Sequence, residues 1–302
     1  MSVSIQAMLE EARIYWKQHD TRQSIRLSKK LLSILEADVR ISQGGGKFSG
    51  SSLDAGQIEE LYVEALRCRG KWMAETKMES IQGIIDNILK KAVDFATRND
   101  LNSCKLQFTM AKYADKCFTS IKERTNSKEW QSALSLKQYH QDQIDKMSTV
   151  IQTPGLSKDV RGQLASKMAL LKKQNKLADD DREKCLLEMR SLLTAAVKSY
   201  IACLSIGDKY DTRCVFRLCS LWFSNSSDVE LNRAIIAEMN ATKIPLYKFL
   251  PLIYQITSRI SEIDTNQDFQ KALQSFIAKL AGERGMSQMF SLFFFSRLFL
   301  SV

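Results

Sequence analysis

Apolar residues recur at helical spacing along almost the whole chain. Ile5, Met8, Leu9, Ala12, Tyr15 and Trp16 share one stripe and predict a first helix from about Val3 to Lys17. His19-Asp20-Thr21 makes a turn, where Asp20 or Thr21 caps the next helix. That second helix, to about Ala37, turns Ile25, Leu31, Leu32 and Leu35 inward, and so short a connection predicts antiparallel neighbours. Gly44-Gly45-Gly46 and Ser49-Gly50-Ser51-Ser52 make residues 42–56 a flexible loop. A third helix is marked by Ile58, Leu61, Tyr62, Ala65, Leu66, Trp72 and Met73, and a fourth by Ile81, Ile84, Ile85, Ile88, Leu89, Ala92 and Phe95. After a break at Asn99-Asp100, a fifth runs from Leu101 to about Lys122 around Leu106, Phe108, Tyr113 and Phe118.

From Asn126 to about Ala178 the texture becomes polar. Trp130, Leu134, Leu136, Tyr139, Ile144, Met147 and Ile151 are sparse, Thr153-Pro154-Gly155 signals a turn, and Val160, Leu164, Met168, Leu171 and Leu177 follow as a narrow stripe. A thin stripe with charged flanks predicts a long antiparallel helical hairpin (126–178) projecting from the body. Asp179 to Asp181 suits the positive end of a further helix, with Leu186, Met189, Leu193, Val197, Tyr200 and Leu204 as its stripe and Gly207 as its end. Paired helices joined by short turns predict an all-α chain, an α-solenoid of degenerate tetratricopeptide-like pairs, although no strict repeat consensus is present.

The stretch around which the chain is organised runs from Tyr210 to Ser261. Val215, Leu218, Cys219 and Trp222 lie on one face of a helix, while Phe216, Leu221 and Phe223 load the others, which predicts burial on most sides. Ser224 to Asp228 is a polar break. Pro245 suits a first helical turn, and Pro251, amid Tyr247, Phe249, Leu250, Leu252, Ile253 and Tyr254, predicts a fixed kink in a packed helix. Phe269, Leu273, Phe276, Ile277 and Leu280 make one more amphipathic helix, and residues 283–302 end in an apolar run from Met289 that contains Arg297.

Composition agrees with this reading. Only 3 prolines and 12 glycines among 302 residues favour helices, and 26% charged residues suit solvent-facing helix surfaces. A net charge of +10 is compatible with an acidic partner. The 7 cysteines form no C-x-x-C pair and read as reduced core residues of a cytosolic or nuclear protein. Met1 leads straight into an amphipathic helix, so no leader is expected, and no run reaches the roughly 18 apolar residues that span a membrane.

Candidate chemistry is sparse. Gly44-Gly45-Gly46-Lys47 fails as a phosphate loop, because Phe48 stands where Ser or Thr is needed and Ile41 where the first glycine belongs. His19 and His140, the 2 histidines, lack metal-ligand spacing. No lysine, aspartate and asparagine stand in the short loops that phosphoryl transfer requires. No catalytic, cofactor or metal site is therefore expected. Lys167, Lys172, Lys173, Lys176, Arg182 and Lys184 are the densest basic stretch, but no aromatic is interleaved and Asp179 to Asp181 interrupts it, so direct nucleic-acid binding is not expected.

Four stretches carry a family resemblance. "MLEEARIYW" (8–16), "EALRCRGKWMAET" (64–76), "VFRLCSLW" (215–222) and "KIPLYKFLPLIYQI" (243–256) resemble, in the same order, the FAT domain of ataxia-telangiectasia-mutated-type kinases, in the phosphatidylinositol-3-kinase-related family. The likeness extends from roughly Ile5 to about Leu280, making 1–282 a partial FAT domain and 283–302 a non-family tail, read as part of an aberrant or truncated gene product. The resemblance implies a helical scaffold of a nuclear serine/threonine kinase acting in the DNA double-strand-break response. It also implies as partners the kinase domain of the same parent polypeptide and a second protomer. The expected structural residues are Trp16, Trp72, Phe216, Trp222, Tyr247, Phe249, Pro251 and Tyr254. Pro154, Lys158 and Arg161 at the hairpin tip are candidate partner contacts. Ser42, in a Ser-Gln dipeptide of the kind these kinases phosphorylate, is a candidate phosphosite, and Ser287-Gln288 is a weaker one. The competing reading is an independent helical-repeat adaptor that binds protein partners.

Overall fold

The computed structural model describes residues 5–43, 55–260 and 267–282. Every regular element among them is helical: α1 (Ile5–Lys17), α2 (Thr21–Gln43), α3 (Ala55–Thr76), a π-helical segment (Gly83–Lys90) leading into α4 (Lys91–Arg98), and α5 (Cys104–Thr125). Then come α6 (Lys128–Ile151), α7 (Lys158–Ile206), α8 (Asp211–Ser224) and α9 (Val229–Ala241). A 3-10 segment (Leu246–Leu252) leads into α10 (Ile253–Thr257), and α11 (Gln267–Gly282) is the last element described. The chain forms two compact units, one of residues 1–114 with 194–302 and one of residues 115–193.

In the first unit α1 packs on α2, α2 on α3, and α3 on the π segment and α4. The turn between α1 and α2 is closed by His19 in the left-handed region (φ 64°) and by Asp20, whose carboxylate accepts from Gln23 N at 3.1 Å. Leu9, Ala12, Leu31, Leu35, Ile58 and Ala65 are fully enclosed where these helices meet. Gly70 marks the closest approach, since a Cβ there would lie 2.6 Å from Leu89 Cδ2. Trp16, only part-buried, stacks on buried Trp72 with centroids 5.4 Å apart.

The later helices of this unit surround Trp222. Its Nε1 donates to Asn232 Oδ1 at 2.8 Å, and Asn232 Nδ2 donates to Ser226 O at 2.8 Å. Phe269 and Phe276 meet its ring edge-on at 5.7 and 6.0 Å, and Phe276 meets Phe249 at 4.9 Å. Asn232 belongs to α9, a helix that the reading of Ser224 to Ser261 passes over. Asp228 starts it as N-cap, accepting from Leu231 N at 3.1 Å.

Several expectations need correction. Phe216, Tyr247 and Tyr254 are not core residues: they are 49, 53 and 66% exposed. One face of α8 suffices to bury Cys214, Val215, Leu218, Cys219, Leu221 and Trp222, which leaves Phe216 outside. Pro251 does not kink an α-helix. It is exposed within the 3-10 segment, whose tighter winding buries Lys248, Phe249 and Leu252. Asp179 to Asp181 starts no helix, because α7 passes through it without a break. α2 also continues to Gln43, beyond Ala37. Among the described residues α7 alone is long and apolar enough to cross a membrane, and half of that stretch is buried within the protein.

Because Trp222 is fully enclosed and its N–H is partnered, Trp222→Ala is expected to cost about 3–5 kcal/mol. Chemical denaturation measures this, and a loss below about 1 kcal/mol would place the ring outside the core.

Candidate interaction surfaces

Lys248 is the least expected polar group. Its side chain is 2% exposed, yet its ammonium reaches Leu204 O (2.8 Å), Gly207 O (3.1 Å), Asp208 Oδ1 (2.8 Å) and Asp211 Oδ1 (3.1 Å). Two of these acceptors belong to the C-terminal end of α7, where carbonyls have no intrahelical donor and the helix dipole favours a cation. Burial pushes the Lys248 pKa down, but the hydrogen bonds it donates to Asp208 and Asp211, with their negative charges, outweigh that and leave the group raised. The lysine stays charged and holds the α7–α8 turn to the 3-10 segment.

Beside this clamp, Cys104 at the start of α5 lies 3.5 Å (Sγ to Sγ) from Cys203 in α7. Burial and its neighbour Cys203 push the Cys104 thiol up to about 12, and Cys203 is raised too, through Cys214 and burial. Both are neutral packing thiols at physiological pH. Phe108, one turn on, stacks flat on Tyr210 at 4.2 Å.

Glu64 on α3 is the second polar centre. Arg67 donates to it from the next turn at 2.6 and 2.8 Å, Lys105 from α5 at 2.8 Å, and Arg13 from α1 at 2.5 Å. Burial pushes Glu64 up, but hydrogen bonds from Arg67 and Lys105 overcome it and bring the carboxyl down to about 2. Gln6, Glu10, Arg13, Gln57, Glu60 and Glu64 line an open groove of about 430 Å³, with Leu9 and Leu61 at its apolar side. Within it Arg13 bridges Glu10 and Glu64, which ties three of these polar groups to one another.

In the second unit, α6 starts at Ser127, whose hydroxyl accepts from Trp130 N at 3.2 Å. Ile144 and Met147 are buried, Leu164, Met168 and Leu171 are half-buried, and Tyr139 is 58% exposed. Lys137 pairs with Asp179 and Arg124 donates to Cys185 Sγ at 3.1 Å. With α6 and α7 joined through 152–157, the Lys137–Asp179 pair sets these two helices antiparallel, while Arg124 reaches α7 from the end of α5. Asn175, 7% exposed, lies in the same stripe with an unpartnered Nδ2, a polar interruption of an already thin apolar contact.

Pro154, Lys158 and Arg161 are all exposed, and Gly155 turns the chain at φ 93°. The fold brings these three together at one bend. Ser42 belongs to the last turn of α2 rather than to a loop, and residues 44–54 of the expected loop lie outside the described residues, as do Ser287 and the 283–302 tail. Among the described residues no group of three His, Cys, Asp or Glu is arranged to hold a metal ion. Sequence reasoning missed Lys248 and Glu64, which look like ordinary helix-surface charges. Each lies in one of the family-like stretches, and that was the available signal.

No family model matches the chain. It is 34% identical over 238 residues to the serine/threonine-protein kinase ATM of Arabidopsis thaliana, covering 74% of this chain and 6% of that protein. It is 26% identical over 282 residues to the serine-protein kinase ATM of Sus scrofa, covering 90% of this chain and 8% of that protein. Most of this chain is homologous to one segment of the ATM and Tel1 kinases. Solved structures give the same fold: the FAT and kinase domain of CtTel1 matches 93% of the chain at TM-score 0.61 and 19% identity, over 17% of its own length. The complete CtTel1 dimer with C2 symmetry matches 93% of the chain at TM-score 0.61 and 18% identity, over 9% of its length. The chain spans less than a tenth of the length of these two curated relatives.

The family-like stretches now have a physical content. Residues 8–16 supply Arg13 and Trp16, and residues 64–76 supply their partners Glu64 and Trp72, together with Arg67, which also pairs with Glu64. Residues 215–222 and 243–256 supply Trp222, Lys248 and Phe249.

Glu64 makes the fold acid-sensitive. Its folded pKa lies below the ordinary 4.5, so its contribution is complete above that value and is lost as pH falls toward about 2. Glu64→Gln is expected to lower stability at neutral pH by about 2–3 kcal/mol and to flatten the acid limb of the stability profile. Identical acid limbs in the two proteins would show that the ion cluster contributes nothing.

Proposed function

We propose that this chain is a non-catalytic FAT scaffold of an ATM-like serine/threonine kinase, supporting and regulating a kinase domain of the same parent polypeptide and its dimer. The observation that carries the reading is the match of 93% of the chain to a structure named for the FAT and kinase domain of CtTel1, alongside 34% identity to a plant ATM kinase. The organisation of the polar groups supports it: Lys248 and Glu64 saturate their charges within the protein and hold helices together. We read the helical pairs as a solenoid, the parent's setting as the nuclear response to DNA double-strand breaks, and phosphoryl transfer as the work of another domain.

The unit of residues 115–193 is the proposed arm toward a second protomer. A C2-symmetric dimer is named for CtTel1, and exposed Pro154, Lys158 and Arg161 occupy the bend of a two-helix element with little apolar contact of its own. The test uses a full-length kinase carrying this segment, with residues 152–156 replaced by a short Gly/Ser turn and charges reversed at Lys158 and Arg161. Weaker dimerisation and altered kinase activation are expected. Wild-type behaviour in both would make the arm a solvated element and leave the adaptor reading ahead.

A further inference from the structure

The 3-10 segment and α10 have two unlike sides. Phe249, Leu252, Ile253 and Ile256 are buried against the core, while Tyr247, Pro251 and Tyr254 are exposed and Leu250 is half-buried. This row is too apolar for a solvated edge, and it is the part of the stretch that sequence patterning assigned to the core.

Two observations identify what fits it. The first is the path of α11. Phe276 meets Phe249 edge-on at 4.9 Å and Lys279 contacts Asn240 near the end of α9, so the second half of α11 packs beside the 3-10 segment and the chain just before it. The second is the sequence beyond α11. Met289 to Leu300 reads MFSLFFFSRLFL, with Arg297 as its single charge. From Gly282 to Met289 the backbone spans at most about 25 Å, and the row from Tyr247 to Tyr254 is about 12–16 Å long. Gly282 lies six residues, about 9 Å of helix, beyond Phe276, whose ring packs on Phe249, so the apolar run is tethered close to the 3-10 segment. Phenylalanine rings bury large apolar areas against tyrosine and proline faces, while tyrosine hydroxyls at the rim keep their water.

We propose that residues 289–300 dock on the Tyr247–Pro251 row of their own chain, covering in cis the apolar surface that α8, α9 and α11 leave open. The proposal does not depend on the kinase-scaffold reading, because it concerns only how this chain covers its own surface.

The full chain, carrying the photo-reactive p-benzoylphenylalanine in place of Tyr247, is irradiated as an equal mixture of isotope-labelled and unlabelled protein. Cross-links from position 247 to residues 289–300, with both peptides of one isotopic type, are expected. Peptides of mixed type would show that the run docks on a second copy, and links only to other residues would show that it does not dock there; either overturns the proposal. Independently, Tyr247→Glu is expected to speed trypsin cleavage after Arg297 about tenfold, by releasing the run from protection, with helix content unchanged. Phe294→Glu, which leaves the described core untouched, is expected to do the same. Unchanged cleavage in both variants would also overturn the proposal.

Discussion

A charged amine enclosed among helix ends is the constraint on which the later half of this fold depends. A buried ammonium is tolerated only when its donors are satisfied, and Lys248 meets that condition with two carboxylates and two main-chain carbonyls. Those carbonyls are the orphan groups at the end of α7, a 49-residue helix that would otherwise finish with acceptors facing a low-dielectric interior. Asp211, which accepts from the same amine, is also the first residue of α8. One side chain thus terminates α7, starts α8 and positions the 3-10 segment. That segment in turn supplies Phe249 to the cluster around Trp222 and Phe276.

Glu64 does comparable work among the first helices. It draws cations from α1, α3 and α5 to one carboxylate, close to the Trp16–Trp72 stack. Both hubs are internally saturated, and both lie within the stretches that resemble FAT domains. A scaffold must hold helix ends in fixed relation, and polar clamps do this with more geometric specificity than apolar packing alone. The exposed chemistry lies elsewhere, at Pro154, Lys158 and Arg161 and along Tyr247 and Pro251.

Helical periodicity made the all-α class legible, along with most element positions, the buried stripes of α3, α5, α8 and α11, and the turn at Pro154-Gly155. Errors arose where one-dimensional pattern omits a competing geometry. Phe216, Tyr247 and Tyr254 were assigned to the core because apolarity was read as burial, yet a helix with one docked face leaves its other apolar residues outside. Pro251 suggested a kink because α-helix was assumed, whereas 3-10 winding accommodates it. Asp179 to Asp181 suggested a helix start, but exposed acids are also tolerated within a long helix. α9 is absent from the sequence reading: its buried face has only Leu231, Ile235 and Met239, with Asn232, the partner of Trp222, among them. The hubs at Lys248 and Glu64 join residues tens of positions apart, and no local pattern encodes such pairs.

The most direct measurement is native-state hydrogen exchange on the full chain with Lys248→Met, which keeps the aliphatic stem and removes the donors. If the clamp organises the later helices, amides at the end of α7, the start of α8 and residues 246–253 lose protection by about tenfold or more while α2 and α3 keep theirs. Unchanged protection at those three places would contradict the account and reduce Lys248 to a tolerated buried charge.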